Sequence, residues 1–135
     1  MKALVVDSSN TMRSVLLRIL SKRGFEVAEA EDVGNALEVL HSMGEAALVL
    51  ADWSPNEVDS LEFIVRLRLE TNRDTVVIML ATTEPSLRTL QRALIAGADD
   101  YLMKPFTSLQ IDEKLAQAGF NYRLGVFYGI CPCND

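Results

Sequence analysis

The stretch Leu48-Val49-Leu50-Ala51-Asp52-Trp53-Ser54 sets an unbroken apolar run against a carboxylate. A short apolar run bounded by polar residues reads as a strand buried on both faces, and such strands form the middle of parallel sheets. Ligands of open α/β sheets gather beyond the carboxyl ends of the strands, so Asp52 stands where chemistry is done. An Asp in that place also serves as a turn former or helix cap, and its company decides between the roles. Three further polar residues close apolar runs in the same way: Asp7 after Leu4-Val5-Val6, Thr82 after residues 75–81, and Lys104 after Asp100-Tyr101-Leu102-Met103. Brought together, Asp7 and Asp52 would repel, so they share a proton or hold a cation. A hard cation such as magnesium suits oxygen ligands. With that ion and the Lys104 ammonium offsetting charge, Asp52 can attack phosphorus and carry an aspartyl phosphate. The Thr82 hydroxyl could then donate to a phosphoryl oxygen, a contact that exists only in the modified state.

Five β-α units must position these groups. The first strand runs to Asp7, and Asn10 is placed to cap a helix carrying Met12, Val15, Leu16, Ile19 and Leu20, which Gly24 stops. Residues 25–30 alternate like an edge strand, and a helix over residues 33–43 follows, with His41 facing solvent. Residues 47–51 form the third strand, a loop spans 52–59, and the next helix carries Leu61, Ile64, Val65 and Leu67. The continuous apolar run 75–81 belongs in the sheet centre, and Pro85 and Ser86 open a helix that Gly97 ends. The fifth strand covers residues 100–103, and a last helix covers about residues 108–118. Strict alternation predicts an α/β fold with a doubly wound, five-stranded parallel sheet. Its common strand order, 2-1-3-4-5, has a switch point between strands one and three. Adjacent strands about 4.8 Å apart then bring Asp7 and Asp52 together, with Thr82 on the next strand and Lys104 about two spacings away.

The 135 residues fit one domain with its own core. Hydrophobic residues make up 49% and charged residues 24%, ordinary values for a soluble globular protein. No apolar run approaches membrane-spanning length, and the acidic residue at position 7 comes too early for a secretory signal, so a cytoplasmic location with no membrane contact is expected. A net charge of -6 with dispersed Lys and Arg argues against nucleic acid as a partner and for protein or metal. Cys131 and Cys133, with the single His41, are too few for a zinc site.

Val5-Val6-Asp7, Asp52 after its strand, Thr82, Tyr101 and Lys104-Pro105-Phe106 resemble the receiver domain of two-component response regulators, of the flavodoxin-like, CheY-like fold. The resemblance runs from residue 2 to residue 118, a receiver domain over 1–118, with Ala81-Thr82-Thr83-Glu84 and residues 97–106 its nearest segments. It implies that Asp52 accepts a phosphoryl group from a sensor histidine kinase or phosphotransfer protein, with magnesium held by Asp7, Asp52 and the Ser54 carbonyl. It implies a switch formed by Thr82 and Tyr101, a cis bond before Pro105, and a downstream protein target on the face of the fourth helix, fifth strand and fifth helix. Ser54 and Glu84 occupy positions that tune phosphoryl lifetime in that family. The chain is then a phosphoacceptor rather than an enzyme.

Two departures stand out. Ser8 occupies the position of a second acid, and a neutral hydroxyl is a poorer ligand, so magnesium binding should be weakened. Pro55 and Ser60 alter the loop after Asp52, and a residue with a β-carbon where glycine is usual suggests a reshaped turn. A module that binds its partner without phosphorylation is therefore the alternative. An aspartyl phosphatase would want a second acid where Ser54 stands, and a flavin module would want a hydroxyl-rich loop after the first strand. Residues 119–135, with Phe120, Tyr122, Leu124, Val126, Phe127, Tyr128 and Ile130, form an apolar C-terminal tail. It is expected to pack on its own domain, with a homodimer contact as the alternative, and no effector domain is expected after it.

Overall fold

A computed structural model describes residues 1–53, 57–71, 74–82 and 85–120, with the side chains of residues 57–59 left aside. The elements alternate as β1 (Lys2–Val6), α1 (Asn10–Ser21), β2 (Glu26–Ala30), α2 (Val33–Met43), β3 (Leu48–Asp52), α3 (Glu57–Glu70), β4 (Val76–Ala81), α4 (Leu87–Ala96), β5 (Asp100–Met103) and α5 (Ser108–Gln117). The strands form one parallel sheet in the order β2-β1-β3-β4-β5. β1 and β3 are neighbours although not consecutive, and this is the predicted switch point.

The period of two in each central strand divides the core. Ala3 and Val5 of β1, Leu48 and Leu50 of β3, and Ile78 and Leu80 of β4 face Leu16, Leu20, Ile111 and Leu115 of α1 and α5. Their alternates Leu4, Val6, Val49, Ala51 and Val77 face Ala36, Leu40, Phe63 and Leu67 of α2 and α3. Strands clothed by helices on both faces need apolar residues at every position, so these runs lack the alternation of the edge strand β2. Phe120, the first aromatic after α5, packs edge-to-face on Phe25, with ring centroids 5.5 Å apart.

Three local expectations need correcting. Ser9, not Asn10, caps α1: its hydroxyl accepts the Met12 amide, and Asn10 is already helical. Helix α3 begins at Glu57, so the loop after Asp52 is shorter than residues 52–59. Ser60 is buried within that helix, so its β-carbon meets helical backbone rather than a left-handed turn. His41 is exposed, as expected, and lies 2.8 Å from Glu70.

Arg68 of α3 ties the far end of this layer together. It donates to the Thr75 carbonyl at 2.8 Å and the Gly97 carbonyl at 2.6 Å, and pairs with Asp99 at 3.1 Å. Gly97 ends α4 with φ +132°, and an added β-carbon would lie 3.1 Å from the Arg68 side chain. Strain and close approach act together at Gly97→Ala, which should cost about 1–3 kcal/mol, read as a lowered urea midpoint.

Candidate functional site

The site is built at the carboxyl ends of β1, β3 and β5. Asp7 follows β1 directly, Asp52 ends β3, and Lys104 follows β5, its amide donating to the Ala81 carbonyl at 2.7 Å. The Lys104 ammonium donates to Asp7 Oδ2 at 2.8 Å and to Asp52 Oδ1 at 2.9 Å. A lysine stem thus crosses β4 to reach both acids. Asp7 is buried, its side chain 2% exposed, whereas Asp52 is 31% exposed and is the carboxylate open to a reactant. The Lys104–Pro105 peptide is cis.

Asp7 is held from several directions. Its amide donates to the Ala30 carbonyl of β2 at 3.1 Å, and its Oδ1 accepts the Ser9 amide at 2.9 Å. Its carbonyl accepts Arg13 Nη1 at 2.6 Å. The sequence reading did not single out Ser9 or Arg13. The signal for Ser9 was its place at the mouth of α1; Arg13 gave none, because an arginine one turn into an amphipathic helix looks like a solvated charge.

Thr82 is exposed just past β4, one strand from Asp52 and outside the three-residue ion cluster. Tyr101 is half-buried in β5, packed with Trp53 and Leu90 on the cluster of Ile64, Met79, Ala93 and Ala98. The Lys114 ammonium lies 5.3 Å from its ring centre and also bonds both Asp100 oxygens at 3.0 Å. Trp53 is half-buried next to Asp52, its amide bonded to the Leu80 carbonyl at 2.7 Å. Ser54, Glu84 and the cysteines at 131 and 133 lie outside the described residues.

Two acids and one ammonium leave one negative charge, so the cluster favours a cation or an electrophile carrying one. Burial works against the Lys104 charge most strongly, but the hydrogen bonds and charges of Asp7 and Asp52 together outweigh it and raise its pKa above 10.5. A raised folded value means that the stability lent by the ammonium is complete below the unfolded pKa and drains as pH rises through the folded one. Urea midpoints should therefore separate the protein from Lys104→Met evenly from neutrality to about pH 10, and the gap should close in stronger alkali.

The response regulator receiver domain family matches residues 3–116. The chain belongs to that family. Chemotaxis protein CheY1 of Helicobacter pylori is 36% identical over 116 residues, 85% of this chain and 94% of that protein. A response regulator structure from Thermotoga maritima matches with a TM-score of 0.76 and 29% identity, covering 87% of this chain and 95% of that one. A response regulator from Burkholderia pseudomallei, solved with a phosphorylated aspartic acid, a calcium ion and citrate, matches with a TM-score of 0.72 and 25% identity, covering 87% of this chain and 72% of that one. The protein is thus a CheY-type receiver, a response regulator of two-component signalling.

Receivers generally bind magnesium at the phosphorylation site, and the donors of this one suit a hard cation without saturating it. Asp7 and Asp52 offer carboxylate oxygens, as magnesium prefers, with water to fill the remaining positions. Among the described residues no group of three or more His, Cys, Asp and Glu side chains converges to hold a metal. The receiver has an exposed Ser8 beside Asp7, so the acid set stays at two. Among those residues, too, no helix is long and apolar enough to cross a membrane.

Proposed function

We propose that this receiver is phosphorylated on Asp52 by a phosphohistidine of a sensor kinase or phosphotransfer protein, and that it signals by binding a protein. The observation that carries the reading is the Lys104 ammonium bridging a buried Asp7 and an accessible Asp52 at the switch point of the sheet.

In this reading an Asp52 oxygen attacks phosphorus, the bond from phosphorus to the donor nitrogen breaks, and the imidazole leaves with that electron pair. The Lys104 ammonium, already bonded to Asp52, follows the new charge onto a phosphoryl oxygen at little cost in reorganisation. Asp7 holds Lys104 in place and, with Asp52, would hold magnesium. When bound, that ion supplies further positive charge against the phosphoryl oxygens. The exposed Thr82 hydroxyl donates to a phosphoryl oxygen and draws the end of β4 toward the site. Tyr101, packed beside α4, passes that movement to the face of α4, β5 and α5, where the downstream protein binds. The receiver unit is assigned to residues 1–118 and the protein to the cytoplasm. Residues 119–135 are assigned to intramolecular packing, with pairing to a second copy as the other use of that segment.

One observation favours the second reading, a module that works without phosphate. Lys104 already satisfies both acids, and Ser8 adds no charge to call in a metal. Magnesium titration followed by Trp53 fluorescence separates the two. A saturable change and subsequent acceptance of one phosphoryl group from a small phosphodonor support the acceptor; a flat titration with no mass gain supports the phosphate-independent module.

A further inference from the structure

We propose that Arg13 is a positioning residue for the acceptor site, acting through the Asp7 carbonyl rather than through either carboxylate. The inference rests on the acceptor reading above and adds a residue to it. Because Ser8 is neutral, Asp7 is the one acid at the end of β1, and its aim decides how the Lys104 ammonium is held. Two bonds fix the Asp7 backbone: its amide to the Ala30 carbonyl at 3.1 Å and its carbonyl to Arg13 Nη1 at 2.6 Å. With the backbone fixed, Oδ1 meets the Ser9 amide at 2.9 Å and Oδ2 is left for Lys104 at 2.8 Å.

Arg13 suits this task by shape as well as charge. Its planar fork bonds three groups at once: the Asp7 carbonyl through Nη1, the Asn10 side-chain oxygen through Nη2, and Glu29 of β2 through Nε at 3.2 Å. The Arg13 side chain is 12% exposed, but its Glu29 partner is 40% exposed, so the ion pair is largely screened. The carbonyl bond, charge-assisted and sheltered, is the stronger contact. The exposed Glu29 contact therefore adds little, and the guanidinium holds Asp7 through its carbonyl. A cation that takes the backbone carbonyl also leaves the Asp7 carboxylate to the Ser9 amide and Lys104.

The test compares Arg13→Gln, Arg13→Lys and Glu29→Gln, each well below its own melting temperature, by the rate of phosphoryl gain and by the NMR shift of the Ser9 amide proton. That proton reports the Asp7 carboxylate directly, with or without phosphorylation. Arg13→Gln should slow acceptance by about 10- to 100-fold and move the Ser9 amide upfield, since small misplacements of a site group cost that much. Arg13→Lys should recover part of both, and Glu29→Gln should match the unaltered protein in both. An Arg13→Gln protein with unchanged rate and unchanged Ser9 shift overturns the proposal. Equal losses in Glu29→Gln and Arg13→Gln also overturn it, because the tie between α1 and β2 would then be what matters. If the unaltered protein gains no phosphoryl group, the acceptor reading fails, and the Ser9 shift alone still decides whether Arg13 sets Asp7.

Discussion

Asp52→Asn is expected to abolish phosphoryl gain while leaving the fold intact. Both Asp7 and Asp52 bond Lys104, so charge alone does not tell nucleophile from support. Access does. The Asp7 side chain is 2% exposed with one oxygen on the Ser9 amide and the other on Lys104, whereas Asp52 is 31% exposed at the end of its strand. A phosphohistidine can reach only the second in line. Asparagine keeps the shape of Asp52 and can still accept from Lys104, so the unfolding free energy from urea denaturation should change by less than about 1 kcal/mol. Asp7→Asn, in contrast, should slow acceptance without ending it. Intact mass after exposure to a small phosphodonor reads both variants. Phosphoryl gain in Asp52→Asn equal to that of the unaltered chain would move the acceptor elsewhere.

Lys104→Met should show the second large effect, in two measurements. Methionine keeps much of the stem volume but leaves Asp7 buried with the Ser9 amide as its remaining carboxylate partner and Asp52 close by with like charge. Leaving such a group short of a partner costs about 1–3 kcal/mol, seen in the urea midpoint at neutral pH. Phosphoryl acceptance should fall by about 10²- to 10³-fold, the usual loss when one preorganised donor is removed. Magnesium should raise the midpoint of the variant more than that of the unaltered protein, because an ion can take the charge role that Lys104 vacates. A variant as stable as its parent and indifferent to magnesium would mean that the two acids do not need the ammonium.

The parts of this site that were legible in the sequence are those that local pattern encodes. Asp7, Asp52, Thr82 and Lys104 each end an apolar run, and strand ends on a parallel sheet share one rim whatever the side chains are. The strand order followed from strict alternation and right-handed crossovers. The cap of α1 was misplaced by one residue because Ser9 and Asn10 are both good capping residues, and pattern does not choose between neighbours. The start of α3 was set too late for a related reason: Glu57-Val58-Asp59 carries no apolar periodicity of its own, so the helix showed only from Leu61. Arg13 and Arg68 were invisible for a different cause. Long side chains reach across elements to backbone carbonyls, Arg13 to Asp7 and Arg68 to Thr75 and Gly97, and a carbonyl target leaves no trace in residue type. The absence of a second acid at Ser8 was plain in the sequence, but the way Lys104 shares itself between the two remaining acids needed the fold.

The most direct measurement of the central claim is the intact mass of the unaltered chain after incubation with a small phosphodonor in millimolar magnesium, repeated after brief mild alkali. The acceptor account predicts a gain of one phosphoryl group that is lost in alkali, as an acyl phosphate is. A gain that survives alkali would place the group on a hydroxyl such as that of Ser8, and no gain at all would leave Asp52 without the reaction assigned to it.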